Sequence, residues 1–253
     1  MRAEIEAIAR EAGALALDFF RTRDTLDIEA KGPLDLVSRA DRELEAMIAS
    51  RLRRAFPDDG ILGEEGGHAP SRSGRTWVLD PIDGTFNFVR GGPEWGVSIG
   101  CHDAAGPLFG AVNLPVAGQL LSGGRDDVAW LDGVPLPALA GFDRRRGAAS
   151  VGLVPEAPLD ATLAALGFVL GETGLALRIC GSCVAGLMEV ARGETDAYLG
   201  LAEHSWDVMA ALPIVTALGG ASTLDWRRIR LTDTLRFAAG KPDAVTLLRP
   251  LVA

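Results

Sequence analysis

Three observations predict a mixed α/β fold in two halves. Two stretches with helical apolar spacing come first, and a series of short β-type runs follows them. Beyond a change of composition, strand-like and helix-like runs alternate. Residues 2–22 place Ile5, Ile8, Ala12, Leu15, Ala16 and Phe19 at helical spacing. Thr22 to Leu34 is polar, contains Gly32-Pro33, and reads as a loop. A second helix, about Ala40–Ala55, would bury Leu44, Met47, Ile48 and Leu52. Runs at 76–80, 94–101, 107–114, 118–122 and 128–131 are separated by Gly, Pro and Asp, which predicts a mostly antiparallel sheet beside the two helices.

From Val134 to Gly147 the composition shifts to Pro, Gly and Arg, and a boundary is expected between residues 137 and 138. Beyond it, strands are expected near 149–153, 175–180, 196–201, 221–224 and 235–239. Helices are expected near 158–166, 183–192, 206–218 and 242–251, making a smaller α/β layer docked on the first half. Pro213 removes one backbone hydrogen bond from the helix at 206–218, so a kink or a late start is expected there.

The 253 residues suffice for one large domain or two small ones, with 48% apolar and 23% charged residues, as in a globular enzyme. A net charge of −9 argues against non-specific nucleic-acid binding, although metal ions let an acidic protein take an anionic substrate. No apolar run reaches the length of a membrane span. The N-terminal helix carries Glu4, Glu6 and Glu11, unlike a signal peptide, so a cytoplasmic location is expected. The three cysteines are Cys101, Cys180 and Cys183. Cys180-Gly181-Ser182-Cys183 spells a C-x-x-C that reads either as a redox pair or as two small buried residues around a tight turn.

Trp77-Val78-Leu79-Asp80-Pro81-Ile82-Asp83-Gly84-Thr85 carries the chemistry. Residues three apart on a flat strand face opposite sides, so Asp80 and Asp83 share a site only if the chain turns at Pro81. Two hard oxygen ligands suit Mg²⁺, Gly84 lets the backbone approach a ligand, and the N–H groups after it can hold a phosphate oxygen. A haloacid-dehalogenase-type nucleophile is disfavoured, because those acids sit two apart and need a downstream lysine; the two lysines here are Lys31 and Lys241. Gly63-Glu64-Glu65-Gly66 reads as a ligand-bearing turn or a solvated one. Asp41 reads as a helix-capping acid with Ser38 or as part of the group orienting a water. Asp207 reads as a capping acid or as a metal ligand at a rigid helix start.

In combination, these residues resemble the inositol monophosphatase family. The signatures are Gly-Glu-Glu at 63–65, the run at 77–88, Trp206-Asp207 through Gly219-Gly220, and Lys31 with Asp35 through Asp41. The resemblance implies a five-layered α/β/α/β/α fold (α/β, of α+β type) and Mg²⁺-dependent hydrolysis of a small phosphate monoester, such as inositol 1-phosphate or a similar polyol phosphate. Histidinol phosphate and a nucleotide 3′-phosphate are the alternatives, and a non-catalytic interaction protein on this scaffold is the alternative of a different class. It also implies Li⁺ inhibition and a homodimer acting on a small phosphorylated metabolite, with neither nucleic acid nor membrane as partner.

By position, Glu64, Asp80 and the Ile82 carbonyl correspond to ligands of one ion. Asp80, Asp83 and Asp207 correspond to ligands of a second, and a third ion would lie near Glu64. Asp41, Thr85 and Glu64 correspond to the catalytic set. Asp83, Gly84, Thr85, Gly181, Ser182, Cys183 and Glu203 correspond to the substrate-binding set. Residues 1–137 would then hold most ligands, and 138–253 the substrate loop and the last ligand. The family's sugar-binding glutamate falls at Gly200, and Glu203 stands three residues on. The loop at 25–36 reads either as a mobile lid over the site or as an ordinary loop, and Lys31 either as a group that reaches a phosphate or a metal-bound water or as a surface lysine.

Overall fold

Alternation along the strands decides how the layers stack. The protein, seen here in a computed structural model, is described over residues 1–26, 28–32, 35–154 and 156–252. Its first half contains α1 (Arg2–Arg21), β1 (Ile28–Gly32), β2 (Asp35–Ser38), α2 (Arg39–Ala55), β3 (Gly60–Gly63), β4 (His68–Ala69), β5 (Thr76–Asp83), α3 (Thr85–Arg90), β6 (Gly96–Asp103), β7 (Gly106–Leu114), β8 (Gln119–Gly124), β9 (Trp130–Leu131) and β10 (Val134–Pro135). After these come β11 (Ala148–Val151), α4 (Leu159–Gly167), β12 (Ala176–Arg178), α5 (Cys183–Ala191), β13 (Ala197–Glu203), α6 (Ser205–Val208), α7 (Ala211–Ala217), β14 (Ala221–Ser222), β15 (Leu235–Gly240) and α8 (Pro242–Leu248).

Among the described residues, β3 to β10 form one sheet in the order β10-β9-β8-β7-β6-β5-β3-β4, and β11 to β15 form a second in the order β12-β11-β13-β15-β14. The first is antiparallel except for the β3/β5 pair, whereas β11 runs parallel to both of its neighbours. One face of the first sheet (Trp77, Leu79, Ile99, Phe109 and Ala111) packs on Ile5, Ile8 and Ala12 of α1 and on Leu44, Ile48 and Leu52 of α2. The other face (Val112, Leu114 and Leu121) packs on α5 and α7, which also cover Tyr198, Phe237 and Ala239 of the second sheet. The far face of that sheet (Ala149, Val151, Leu199 and Ala238) packs on Ala165 of α4 and on Ala244, Val245 and Leu248 of α8. Three apolar cores separated by two sheets make the five layers α/β/α/β/α.

The structure corrects the expected elements in three places. Thr22–Leu34 is not one loop. A 3₁₀ turn at Arg23–Thr25 leads to β1, which pairs antiparallel with β2. Ile28-Glu29-Ala30-Lys31 alternates apolar and polar residues, a strand signal hidden by the Gly-Pro that follows. The side chains of Lys31 and Ser38, and residues Pro33 and Leu34, lie outside the described residues. The helix expected at 206–218 is two helices broken at Met209-Ala210, because Pro213 has no N–H to give the Met209 carbonyl. The last helix stops at Leu248 and finishes as a 3₁₀ turn through Pro250, which has no N–H to give the Thr246 carbonyl. Among the described residues no helix is long and apolar enough to cross a membrane.

That break is seated on a notch in the first sheet. Gly100 and Gly110 are cross-strand partners on β6 and β7. A Cβ at Gly110 would overlap the Ala210 carbonyl, and one at Gly100 would lie 2.6 Å from the Ala210 nitrogen. Two adjacent positions without side chains therefore let α6 and α7 approach the sheet backbone. Gly110→Ala is expected to destabilise the fold by about 1–3 kcal/mol through overpacking, measured by denaturant unfolding; unchanged stability would show that the middle layer is not seated there.

Candidate active site

The strand that ends in the acid run does not turn at Pro81. β5 continues to Asp83 through a bulge: Asp80 pairs with Ser98 and Asp83 with Gly96, so three steps on β5 match two on β6. Alternation puts Trp77 and Leu79 toward α1 and α2 and Asp80 toward the middle layer. The extra residue brings Asp83 to that same side. Pro81 suits the bulge because no ladder donor is needed there. The Ile82 N–H donates to Asp80 at 3.0 Å and fixes its carboxylate. Gly84 follows in the left-handed region (φ 88°), where a Cβ would lie 2.9 Å from both the Glu94 carbonyl and the Ser182 Cβ.

Backbone N–H groups hold the acids, Asp83 from another element and Asp80 and Asp207 from their own. The Asp83 carboxylate accepts the Ser182 hydroxyl, the Cys183 N–H at 3.2 Å and the Val184 N–H at 3.0 Å, at the positive end of α5. Asp207, in the first turn of α6, accepts the His204 N–H at 2.6 Å. The Ser98 hydroxyl donates to the Trp206 carbonyl at 2.9 Å and anchors α6 to the sheet. Glu64 follows β3, and its N–H donates to the Leu79 carbonyl at 3.2 Å. Glu45 of α2 holds that turn by accepting the Glu65 N–H at 2.7 Å and the Gly67 N–H at 2.8 Å.

The outcome is a cavity of about 540 Å³ between the two sheets. Carboxylate oxygens of Asp80, Asp83 and Asp207 lie within 4.8 Å of one another, and Glu64 stands within hydrogen-bonding reach of Asp80. Ile82, Gly84, Thr85, Gly181, Ser182, Cys183 and Glu203 line the same cavity. Asp41 is buried in the first turn of α2, next to β2. None of the described lining residues is a lysine or an arginine, and Lys241 is bound to Asp196 at 2.7 Å.

Burial raises the carboxyls of Asp80 and Asp207 far above the usual carboxylate range, and their acid neighbours add to it: Glu64, Asp83 and Asp207 at Asp80, and chiefly Glu203 and Asp83 at Asp207. Burial also raises Asp83, to about 6, against the pull of the Ser182, Val184 and Cys183 hydrogen bonds. Four crowded acids with only oxygen donors match what Mg²⁺ takes. Cys180 and Cys183 are free thiols. Burial pushes Cys180 up to about 11 and holds Cys183 well above the usual thiol range, so neither is an activated thiolate.

Two contributors have no motif of their own. Tyr198, the only tyrosine in the chain, donates to Glu203 at 2.6 Å. Glu45 stands one helical turn after Asp41 on the buried face of α2, and an acid on an apolar face was the available signal.

With this geometry in view, comparison with known proteins is decisive: the inositol monophosphatase family model matches residues 1–240. The chain belongs to that family. A histidinol-phosphatase of Chlorobaculum parvum is 33% identical over 84% of this chain and 81% of its own length. Inositol monophosphatase 3 of Solanum lycopersicum is likewise 33% identical, over the same shares of the two chains. Among solved structures, the extragenic suppressor protein suhB of Bartonella henselae superposes with a TM-score of 0.89 at 26% identity, covering 99% of this chain and 97% of that one. Like other family members, the chain is a phosphatase, a hydrolase of phosphoric monoesters.

In the metal-free protein, folding raises the Asp83 carboxyl from 3.8 to about 6. Its contribution to stability is therefore full below about pH 4 and is lost as pH rises through about 6. Comparing denaturant midpoints of chelator-treated wild type and Asp83→Asn across that window should show the balance moving toward wild type as pH falls; a constant difference would contradict the shift.

Proposed function

We propose that the chain hydrolyses small phosphate monoesters of polar alcohols with Mg²⁺, held as two to three ions. The observation that carries this reading is the convergence of Asp80, Asp83 and Asp207 in a wall without lysine or arginine among its described residues. A phosphate cannot enter such a wall unless cations come with it. Asp80, Asp83 and Asp207 would hold one ion, and Glu64, Asp80 and the Ile82 carbonyl another, with a third near Glu64. When bound, Mg²⁺ offsets the phosphate charge and acidifies a water for in-line attack.

The remaining work belongs to the chain's own groups. The Thr85 hydroxyl donates to the Ile82 carbonyl at 2.9 Å, so its oxygen has only acceptor capacity left for a water, which turns that water's lone pair toward the phosphorus. Asp41 is a positioning residue for that arrangement, at the start of α2 and next to β2, on which α3 packs. The N–H groups of Gly84 and Thr85 open α3 and have no acceptor within it, which suits them to phosphate oxygens. Asp83 is held from α5, so the substrate loop Gly181–Cys183 and the acids move as one unit.

Asp83→Asn is expected to lower Mg²⁺-dependent phosphate release from inositol 1-phosphate and histidinol phosphate by roughly 10²-fold or more, with the fold kept. Mg²⁺ should raise the melting midpoint of wild type but not of the variant. Full activity in a folded variant would sink the assignment.

A further inference from the structure

We propose that Glu45 of α2 is a positioning residue that sets the affinity of the ion held by Glu64 and leaves the ion held by Asp207 untouched. This deepens the phosphatase reading above and rests on its arrangement of at least two ions.

Glu64 stands in the turn that joins β3 to β4. β3 ends at Gly63, opposite Leu79 of β5, and the Glu64 N–H donates to the Leu79 carbonyl at 3.2 Å. Within the turn, the Gly63 N–H donates to the Gly67 carbonyl at 2.7 Å and the Gly66 N–H to the Gly63 carbonyl at 3.4 Å. The backbone donors of Glu65 and Gly67 still need an acceptor. One side chain supplies both: Glu45 Oε2 accepts the Glu65 N–H at 2.7 Å, and Oε1 accepts the Gly67 N–H at 2.8 Å.

The turn is shaped to receive this carboxylate. A Cβ at Gly63 would overlap it, and one at Gly67 would lie 2.6 Å from its Oε1. Glu45 is itself buried, 6% exposed, on the side of α2 that sends Leu44, Ile48 and Leu52 into the first core. Because that core locks α2 to the sheet, the helix has a fixed place from which to hold the turn. The Glu65 N–H belongs to the peptide that follows Glu64, so Glu45 fixes the backbone from which the Glu64 side chain springs.

The other acids have holders of their own, which confines the effect to one ion. Asp80 accepts the Ile82 N–H, Asp83 the Cys183 and Val184 N–H groups, and Asp207 the His204 N–H. None of these bonds passes through α2 or the turn at 63–67. The acids that converge within 4.8 Å are Asp80, Asp83 and Asp207, and Glu64 joins them from beside Asp80. A displaced turn therefore spoils the site that Glu64 completes and spares the one that Asp207 completes. Partners that orient a ligand in this way are commonly worth about 10–100-fold in metal affinity.

The test is a calorimetric titration with Mn²⁺, which suits the same oxygen ligands as Mg²⁺, on wild type, Glu45→Gln, Glu64→Gln and Asp207→Asn. The last two variants assign the binding events, each by removing its own. Glu45→Gln keeps an oxygen for one backbone N–H and turns an NH₂ group toward the other. It is expected to weaken the Glu64 event at least about tenfold and to leave the Asp207 event in place. A second measurement needs no variant: in metal-free wild type the Glu65 and Gly67 amides should exchange with solvent at least about tenfold more slowly than in an open chain. Both events weakened alike (the result of a merely structural role), a Glu64 event that does not move, or exchange of those two amides at open-chain rates would overturn the proposal while leaving the phosphatase reading in place. A wild type that takes up fewer than two ions would overturn both.

Discussion

Repulsion among buried carboxylates is the constraint around which this molecule is arranged. Each pair among Asp80, Asp83 and Asp207 approaches within 4.8 Å. At an effective dielectric of 20 a fully charged pair at that distance costs about 3 kcal/mol. Three such pairs rival the whole stability of an ordinary domain, about 5–15 kcal/mol. The fold meets this cost with backbone donors on each acid, with the α5 N-terminus on Asp83, and with raised proton affinity where no cation is present. Among the described lining residues it does not meet it with lysine or arginine, which would occupy the place that a cation and a phosphate need. Destabilisation of the empty site and affinity of the filled one share a single electrostatic origin.

The second determinant is missing side chains. Gly100 and Gly110 let the α6–α7 break sit on the first sheet, which carries Asp207 to Asp80 and Asp83. Gly63 and Gly67 leave space for the Glu45 carboxylate that shapes the Glu64 turn. In each case a side chain on a sheet or turn would have pushed an acid out of register with the others. Bulges complete the work, because each adds one residue and turns the next acid to the cavity face.

Much of this was legible in the sequence. Helical spacing located α1 and α2, and short β-type runs located β5 to β9, because both signals are local and periodic. The acid run at 80–85 announced a metal-type chemistry by residue type alone. The manner in which Asp80 and Asp83 meet was not legible: a proline between two acids reads as a turn, and only the pairing with β6 reveals a bulge. The same holds for β1, whose alternation is short and ends in Gly-Pro, and for the split at Met209, where Pro213 told of a defect but not its position. Glu45 and Tyr198 escaped because their roles depend on partners distant in sequence.

The hydrogen bond from the Val184 N–H to Asp83 spans 101 residues of chain. Closing so long a loop carries an entropic cost that local structure does not offset, and contacts of this kind form late in folding. Asp207 follows α5 in the chain, so no fragment ending before α6 carries all three converging acids. A chain emerging from the ribosome holds Asp80 and Asp83 on a finished strand long before it holds anything that binds. Convergence of the acids thus belongs to the assembled middle layer and not to the strand that begins it.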